Sequence, residues 1–159
     1  LTVRLSAGED PVRVVLDNRA TLSPDMPIFG SRAILFHGPK APRDRIDAIR
    51  ATGAEVIRVS HTTEGLVLSE VLDALGQRGI VSLLVEGGGR LHASLLKNRL
   101  ANEAWFYVAP RIIGQGRPVV AAPSAPTIAE GWHLSDVEIT PFGRDVRIRG
   151  LIEYPPDAE

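Results

Sequence analysis

The sequence predicts an α/β domain with a mainly parallel central sheet, flanked by helices and finished by a C-terminal antiparallel hairpin. Three observations carry this. Apolar, β-branched runs alternate with helix-period segments through the first two thirds of the chain. A run of three glycines joins one of those strands to a helix. Two long, partly alternating runs then meet at a turn close to the end.

Residues 13–17 read as the first strand, set between Pro11 and the polar pair Asn18-Arg19. Residues 32–37 are the second, closed by Gly38-Pro39. A helix follows, with Pro42 suited to its first turn, Ile46 and Ile49 on one face, and Gly53 suited to its C-terminal cap. Residues 55–59 form a third strand. Leu68, Val71, Leu72 and Leu75 fall on one helical face, and Gly76 and Gly79 mark the end of that helix. Residues 81–85 carry no polar alternation beyond Ser82, which predicts a fourth strand buried on both faces. The glycine turn 87–89 feeds a third helix reaching Lys97. Residues 105–109 are a fifth strand, with Trp105, Phe106 and Tyr107 expected in the core. Residues 111–126, rich in Gly, Pro and Ala, are a surface loop, and Gly114-Gln115-Gly116 reads as part of it. Residues 133–140 and 145–154 make the hairpin, with Arg147 and Arg149 expected to face solvent.

Bulk properties bound the function. At 159 residues, 44% hydrophobic and 23% charged, the chain suits one globular domain spanning residues 1–159. The longest apolar run, residues 104–110, is far too short to cross a bilayer, and no signal peptide is expected. A net charge of −1 gives no global attraction to nucleic acid or anionic lipid, so neither partner is expected. Without cysteine there is no disulfide, thiolate metal site or cysteine nucleophile, which fits a cytoplasmic protein. His37, His61, His92 and His133 show no metal-ligand spacing, and no metal is expected.

The glycine turn is the strongest functional signal. Glycine lets a backbone approach a phosphate closely and adopt positive φ. The first N–H groups of the next helix lack intrahelical partners and carry the positive end of its dipole. Such a turn at the carboxyl end of a parallel strand stands where α/β sheets bind ligands. The competing reading is a tight strand-to-helix turn with no ligand. The Rossmann fingerprint fails, because the third glycine position is His92 and Glu103 is too near to be the ribose-binding acid. A P-loop fails for want of Gly-Lys-Ser/Thr.

Four stretches fit another family: Leu1-Thr2-Val3-Arg4, the run from Pro11 to Asp17, Leu84-Val85-Glu86-Gly87-Gly88-Gly89-Arg90-Leu91, and Tyr107-Val108-Ala109-Pro110-Arg111-Ile112-Ile113-Gly114. In this order, the chain closely resembles the reductase domain of the bacterial riboflavin-biosynthesis deaminase/reductase, within the dihydrofolate-reductase superfamily. The resemblance runs from Leu1 to about Tyr154. It implies NADPH-dependent reduction of 5-amino-6-(5-phosphoribosylamino)uracil to its open-chain ribitylamino product. It also implies a homodimer. Gly88, Gly89, Arg90, Leu91, His92, Ala93 and Ser94 match the family's cofactor-phosphate loop. Asn18 falls where the family usually places a cofactor-contacting Ser, and keeps a hydrogen-bonding side chain. Leu1, Arg4 and Glu86 match substrate contacts, with Arg4 facing the ribose phosphate. The family domain has a strand, a helix and a further strand before the LTVR stretch. The chain is therefore expected to be a piece of a longer protein whose deaminase domain lies elsewhere, since zinc deaminases need cysteines.

Read without the family, Glu86 is a strand-end carboxylate paired with Arg90 or a nearby lysine, and Arg4 is a solvated surface arginine. The residues mark neither a general acid nor a group that reads the cofactor 2′-phosphate. Two alternatives stay open: another pteridine or pyrimidine reductase of this superfamily, or a non-catalytic nucleotide-binding or assembly domain of the same fold.

Overall fold

A computed structural model describes residues 3, 7–123 and 125–156. They fall into two compact units, Leu1–Ser82 and Leu83–Glu159.

The first unit is built on three parallel strands, β1 (Arg13–Leu16), β2 (Ala33–His37) and β3 (Glu55–Arg58), in the order β1-β2-β3. All five residues of β2 are buried, as a central strand of a parallel sheet covered on both faces requires. Alternation along β2 sends Ala33 and Leu35 into one core with Val15, Phe29, Ile49 and Ala54. Ile34 and Phe36 enter a second core with Val59, Val71 and Leu75. Ile49 belongs to α1 (Arg43–Arg50), and Val71 and Leu75 belong to α2 (Leu68–Gly76), so the two helices serve opposite faces of the sheet. α1 starts where the sequence predicts, with Pro42 as its N-cap rather than in its first turn; its C-cap is Ala51, and Gly53 turns the chain back two residues later at φ +90°. A two-residue ladder of β4 (His61–Thr62) and β5 (Gly65–Leu66) between β3 and α2 is not foreseen, being shorter than any periodicity can mark.

The second unit contains α3 (Gly89–Lys97) and an antiparallel sheet of β6 (Glu103–Val108), β7 (His133–Phe142) and β8 (Asp145–Glu153), in the order β6-β8-β7. The β7–β8 hairpin turns at Gly143, φ +65°, and is bulged between Ser135 and Glu138. A short 3-10 turn over Ile128–Glu130 precedes it.

Three expectations are corrected. Residues 81–85 join no ladder among the described residues, and Val81 and Leu84 are 97% and 77% exposed. Apolar continuity records what a segment can bury; a strand also needs a neighbour to complete its hydrogen bonds. Trp105 and Tyr107 are not core but 47% and 56% exposed, because alternation along β6 puts them on one face with Glu103. Arg147 and Arg149 do not simply point into water. The register sets them opposite Tyr107 and Trp105, both guanidinium groups lie over the Trp105 ring at 5.0 and 5.5 Å, and Arg149 also pairs with Glu103.

Candidate functional site

The glycine turn leads into α3 without a side-chain cap: Gly88 is the N-cap, at φ −74° and ψ 171°. None of Gly87, Gly88 and Gly89 has positive φ, so left-handed backbone is not what selects glycine here. Space is. A Cβ on Gly87 would come within 2.6 Å of the Leu91 side chain. One on Gly89 would come within 2.4 Å of the Pro118 carbonyl oxygen. A Cβ on Gly88 would meet nothing within 4 Å. Gly89, which faces backbone atoms, is thus required by the fold; at Gly87 the tip of the Leu91 side chain would have to shift, and Gly88 opens outward.

The Gly88 carbonyl accepts from the N–H groups of Leu91 and His92 at 2.9 and 3.2 Å. Intrahelical bonding therefore begins at Leu91, and the amides of Gly89 and Arg90 precede it. The loop 118–121 lies beside this start. Ala121 N–H donates to the Gly89 carbonyl at 2.9 Å, and His92 Nδ1 lies 2.9 Å from the Val119 carbonyl oxygen. A carbonyl only accepts, so Nδ1 carries the proton and His92 tethers the loop to the helix. Leu91 packs on Gly87, and Ala93 and Ser94 are half-buried one turn further in. The groups open to an anion are the backbone at Gly88 to Arg90 and the exposed Arg90 guanidinium, which forms no ion pair among the described residues. Glu86 is exposed and likewise unpaired there, so the Glu86–Arg90 pairing is not made.

In the first unit, Asn18 follows β1 and is half-buried. Its carbonyl accepts the Gly38 N–H at 3.0 Å, tying the loops that leave β1 and β2. A Cβ on Gly38 would lie 2.0 Å from Asn18 Oδ1, so glycine there seats the Asn18 side chain. The sequence reading saw Gly38 only as the end of a strand. It also missed Asp17, whose carboxylate accepts from the N–H groups of Thr21 and Leu22 at 2.6 and 2.9 Å and folds the next turn around itself. The spacing Asp17-x-x-x-Thr21 is the signal that marks such a turn.

Two clefts of about 360 Å³ open on this unit. One is lined by Arg19, Ala20, Thr21, Lys40, Pro42 and Arg45. The other includes Arg58, Ser60, His61 and Glu70. Glu70 accepts the Ser60 N–H at 2.7 Å, and this backbone donor lowers its carboxyl below the usual range. Leu1 and Arg4 lie outside the described residues.

Residues 1–148 match the family model of the RibD C-terminal domain. The chain belongs to that family. It is 35% identical over 127 residues to the riboflavin biosynthesis protein RibD of Chlamydia pneumoniae, covering 76% of this chain and 34% of that protein. It is 32% identical over 117 residues to the 2,5-diamino-6-ribosylamino-4(3H)-pyrimidinone 5′-phosphate reductase of Aquifex aeolicus, covering 72% and 51%. The chain thus spans about a third to a half of the length of these relatives. Among solved structures, Acinetobacter baumannii RibD superposes with a TM-score of 0.73 at 22% identity, over 90% of this chain and 38% of that one. A RibD C-terminal domain has the dihydrofolate-reductase-like α/β fold that the sequence predicts, and this likeness supports it.

Proposed function

We propose that the chain supplies the reductase half of a riboflavin-biosynthesis enzyme, as one reductase domain. The reaction is NADPH-dependent reduction of 5-amino-6-(5-phosphoribosylamino)uracil to the ribitylamino product. The observation that carries this reading is Gly88. Of the three glycines it is the one whose Cβ would meet nothing, and it opens beside the free amides of a helix start in a chain of this family. Those residues fit a cofactor's phosphates. An added side chain at Gly88 would fill the approach, while the Gly89 and Arg90 amides and the Arg90 guanidinium supply donors.

Gly88, Gly89 and Arg90 hold the pyrophosphate, and Leu91, His92, Ala93 and Ser94 build the helix that presents them. Asn18, seated by Gly38, offers an amide to the cofactor. Glu86 accepts from the pyrimidine N–H or amino groups, and Leu1 and Arg4 complete the substrate contacts, with Arg4 on the ribose phosphate. The nicotinamide supplies the hydride when bound, and the chain's own contribution is to hold two ligands in line. The sugar must open to an imine to receive that hydride. The protein works in the cytoplasm as a homodimer, beside a deaminase domain in its parent chain. No helix among the described residues is long and apolar enough to cross a membrane.

The test is substrate choice. The phosphoribosylamino-uracil is expected to drive NADPH consumption and yield the ribitylamino product, while dihydrofolate is not. Turnover of dihydrofolate alone would replace this reading with another superfamily reductase. Binding of neither NADPH nor NADH would leave the assembly-domain reading.

A further inference from the structure

Residues 118–121 run past the start of α3 and belong to no helix or strand. Burial does not hold them there, since Pro118, Val119 and Ala121 are exposed. Contacts to the helix start do. Ala121 N–H donates to the Gly89 carbonyl, and His92 Nδ1–H donates to the Val119 carbonyl, both at 2.9 Å. The segment also closes tightly on Gly89. A Cβ there would lie 2.4 Å from the Pro118 oxygen, 3.1 Å from the Ala121 nitrogen and 3.2 Å from the Val119 oxygen. Position 89 is therefore glycine because this segment lies across it. All of these residues belong to the second unit.

The bonded atoms bear on the open amides of the turn. A peptide group is planar, so the Gly89 carbonyl and the Arg90 N–H are the two ends of one rigid amide. The peptide bonds of the described residues are trans, so these two ends point in opposite directions. A donor seated on the Gly89 oxygen therefore steers the Arg90 N–H toward the open end of the helix. It also polarises the amide and makes that N–H a stronger donor. The helix treats the preceding amide in the same way. The Gly88 carbonyl accepts from Leu91 and His92, and the Gly89 N–H at the other end of that amide points outward. His92 thus serves both amides, one through its backbone N–H and the other through the segment its imidazole holds. Two exposed hydrogen bonds hold a segment only marginally, so it can leave and return.

We propose that residues 118–121 are a strap whose docking on Gly89 and His92 completes the anion-holding turn. His92 is then a positioning residue that acts through the strap and does not touch the ligand. This inference rests on the reading of Gly88 to Arg90 as the pyrophosphate site. Linkage makes the effect reciprocal: the docked strap raises affinity, and bound ligand tightens the strap by the same factor.

The experiment follows exchange of the Ala121 amide proton by NMR in the whole chain, without ligand, with NADPH and with inorganic pyrophosphate. Calorimetry gives the affinity for both ligands. In the wild type each ligand is expected to slow Ala121 exchange by about threefold to tenfold. His92→Ala should speed that exchange about tenfold without ligand and weaken both ligands by about threefold to tenfold, as loss of one hydrogen bond implies. His92→Asn can place an N–H near the position of Nδ1 and should restore both readouts. Ala121→Pro deletes the amide bonded to Gly89 and should weaken both ligands by a similar factor with His92 intact. Exchange that ligand does not slow, or unchanged affinity in His92→Ala, would overturn the strap and leave the pyrophosphate reading standing. Weakened affinity in His92→Ala with unchanged Ala121 exchange, or no rescue by His92→Asn, would make His92 a ligand contact and overturn its positioning role. Binding of neither ligand to the wild type would overturn both readings.

Discussion

The two units hold their strands in different ways. In the first, β2 is buried along its whole length and feeds a core on each face of the sheet. In the second, among the described residues, Leu95 is the only buried hydrophobic side chain larger than glycine, while Trp105, Tyr107, Ile139 and Phe142 remain exposed. There, lateral interactions take over: Arg147 and Arg149 over Trp105, Tyr107 edge-on to Phe142 at 6.0 Å, and Arg149 paired with Glu103. Parallel strands that continue into helices gain their stability from burial, whereas this antiparallel sheet draws on cross-strand pairs.

The sharpest way to break this comparison is a matched pair of truncations. Phe36→Ala empties a fully buried site and should cost about 3–5 kcal/mol in denaturant unfolding. Trp105→Ala removes a half-exposed ring and its cation–π contacts and should cost about 1–2 kcal/mol. Equal losses would mean that the Trp105 face is covered in solution.

A smaller effect separates the glycines. Gly89→Ala pushes a Cβ against the Pro118 carbonyl and should lower stability by about 1–3 kcal/mol. Gly88→Ala should leave the melting temperature nearly unchanged, since its Cβ meets nothing and its φ suits any residue.

The smallest effect is acid sensitivity, and both units share it. Arg78 beside Glu55, the Ser60 amide on Glu70, and Arg149 beside Glu103 each lower a carboxyl below its ordinary value. A depressed folded value makes the contribution complete above the unfolded value of about 4.5 and lost as pH falls through the folded one. Melting temperature should therefore fall on acidification below that range. Glu103→Gln should flatten the part of the fall that belongs to the second unit. An unchanged acid limb in that variant would remove Glu103 from the account.

Most of the first unit was legible in the sequence, because the signals for β1, β2, α1, β3 and α2 agree with local structure, while the short β4–β5 ladder left no signal. Residues 81–85 were misread because apolar continuity cannot say whether a pairing partner stands alongside. Trp105 was misread because aromatic character predicts burial, while register decides which face the ring takes. At the site, the glycine turn was visible, but its division of labour was not. Only the folded chain brings Leu91 against Gly87 and the loop at Pro118 against Gly89, and leaves Gly88 facing open space. The grouping of Arg19, Lys40 and Arg45 was hidden for the same reason, since three separate elements supply them.

The central claim is that Gly88 is glycine so that a cofactor phosphate can reach a helix start. The most direct test is the melting-temperature shift given by NADPH in the wild type and in Gly88→Val. The account predicts a clear shift in the wild type, none in the variant, and nearly equal melting temperatures for the two without ligand. An undiminished shift in Gly88→Val would contradict it.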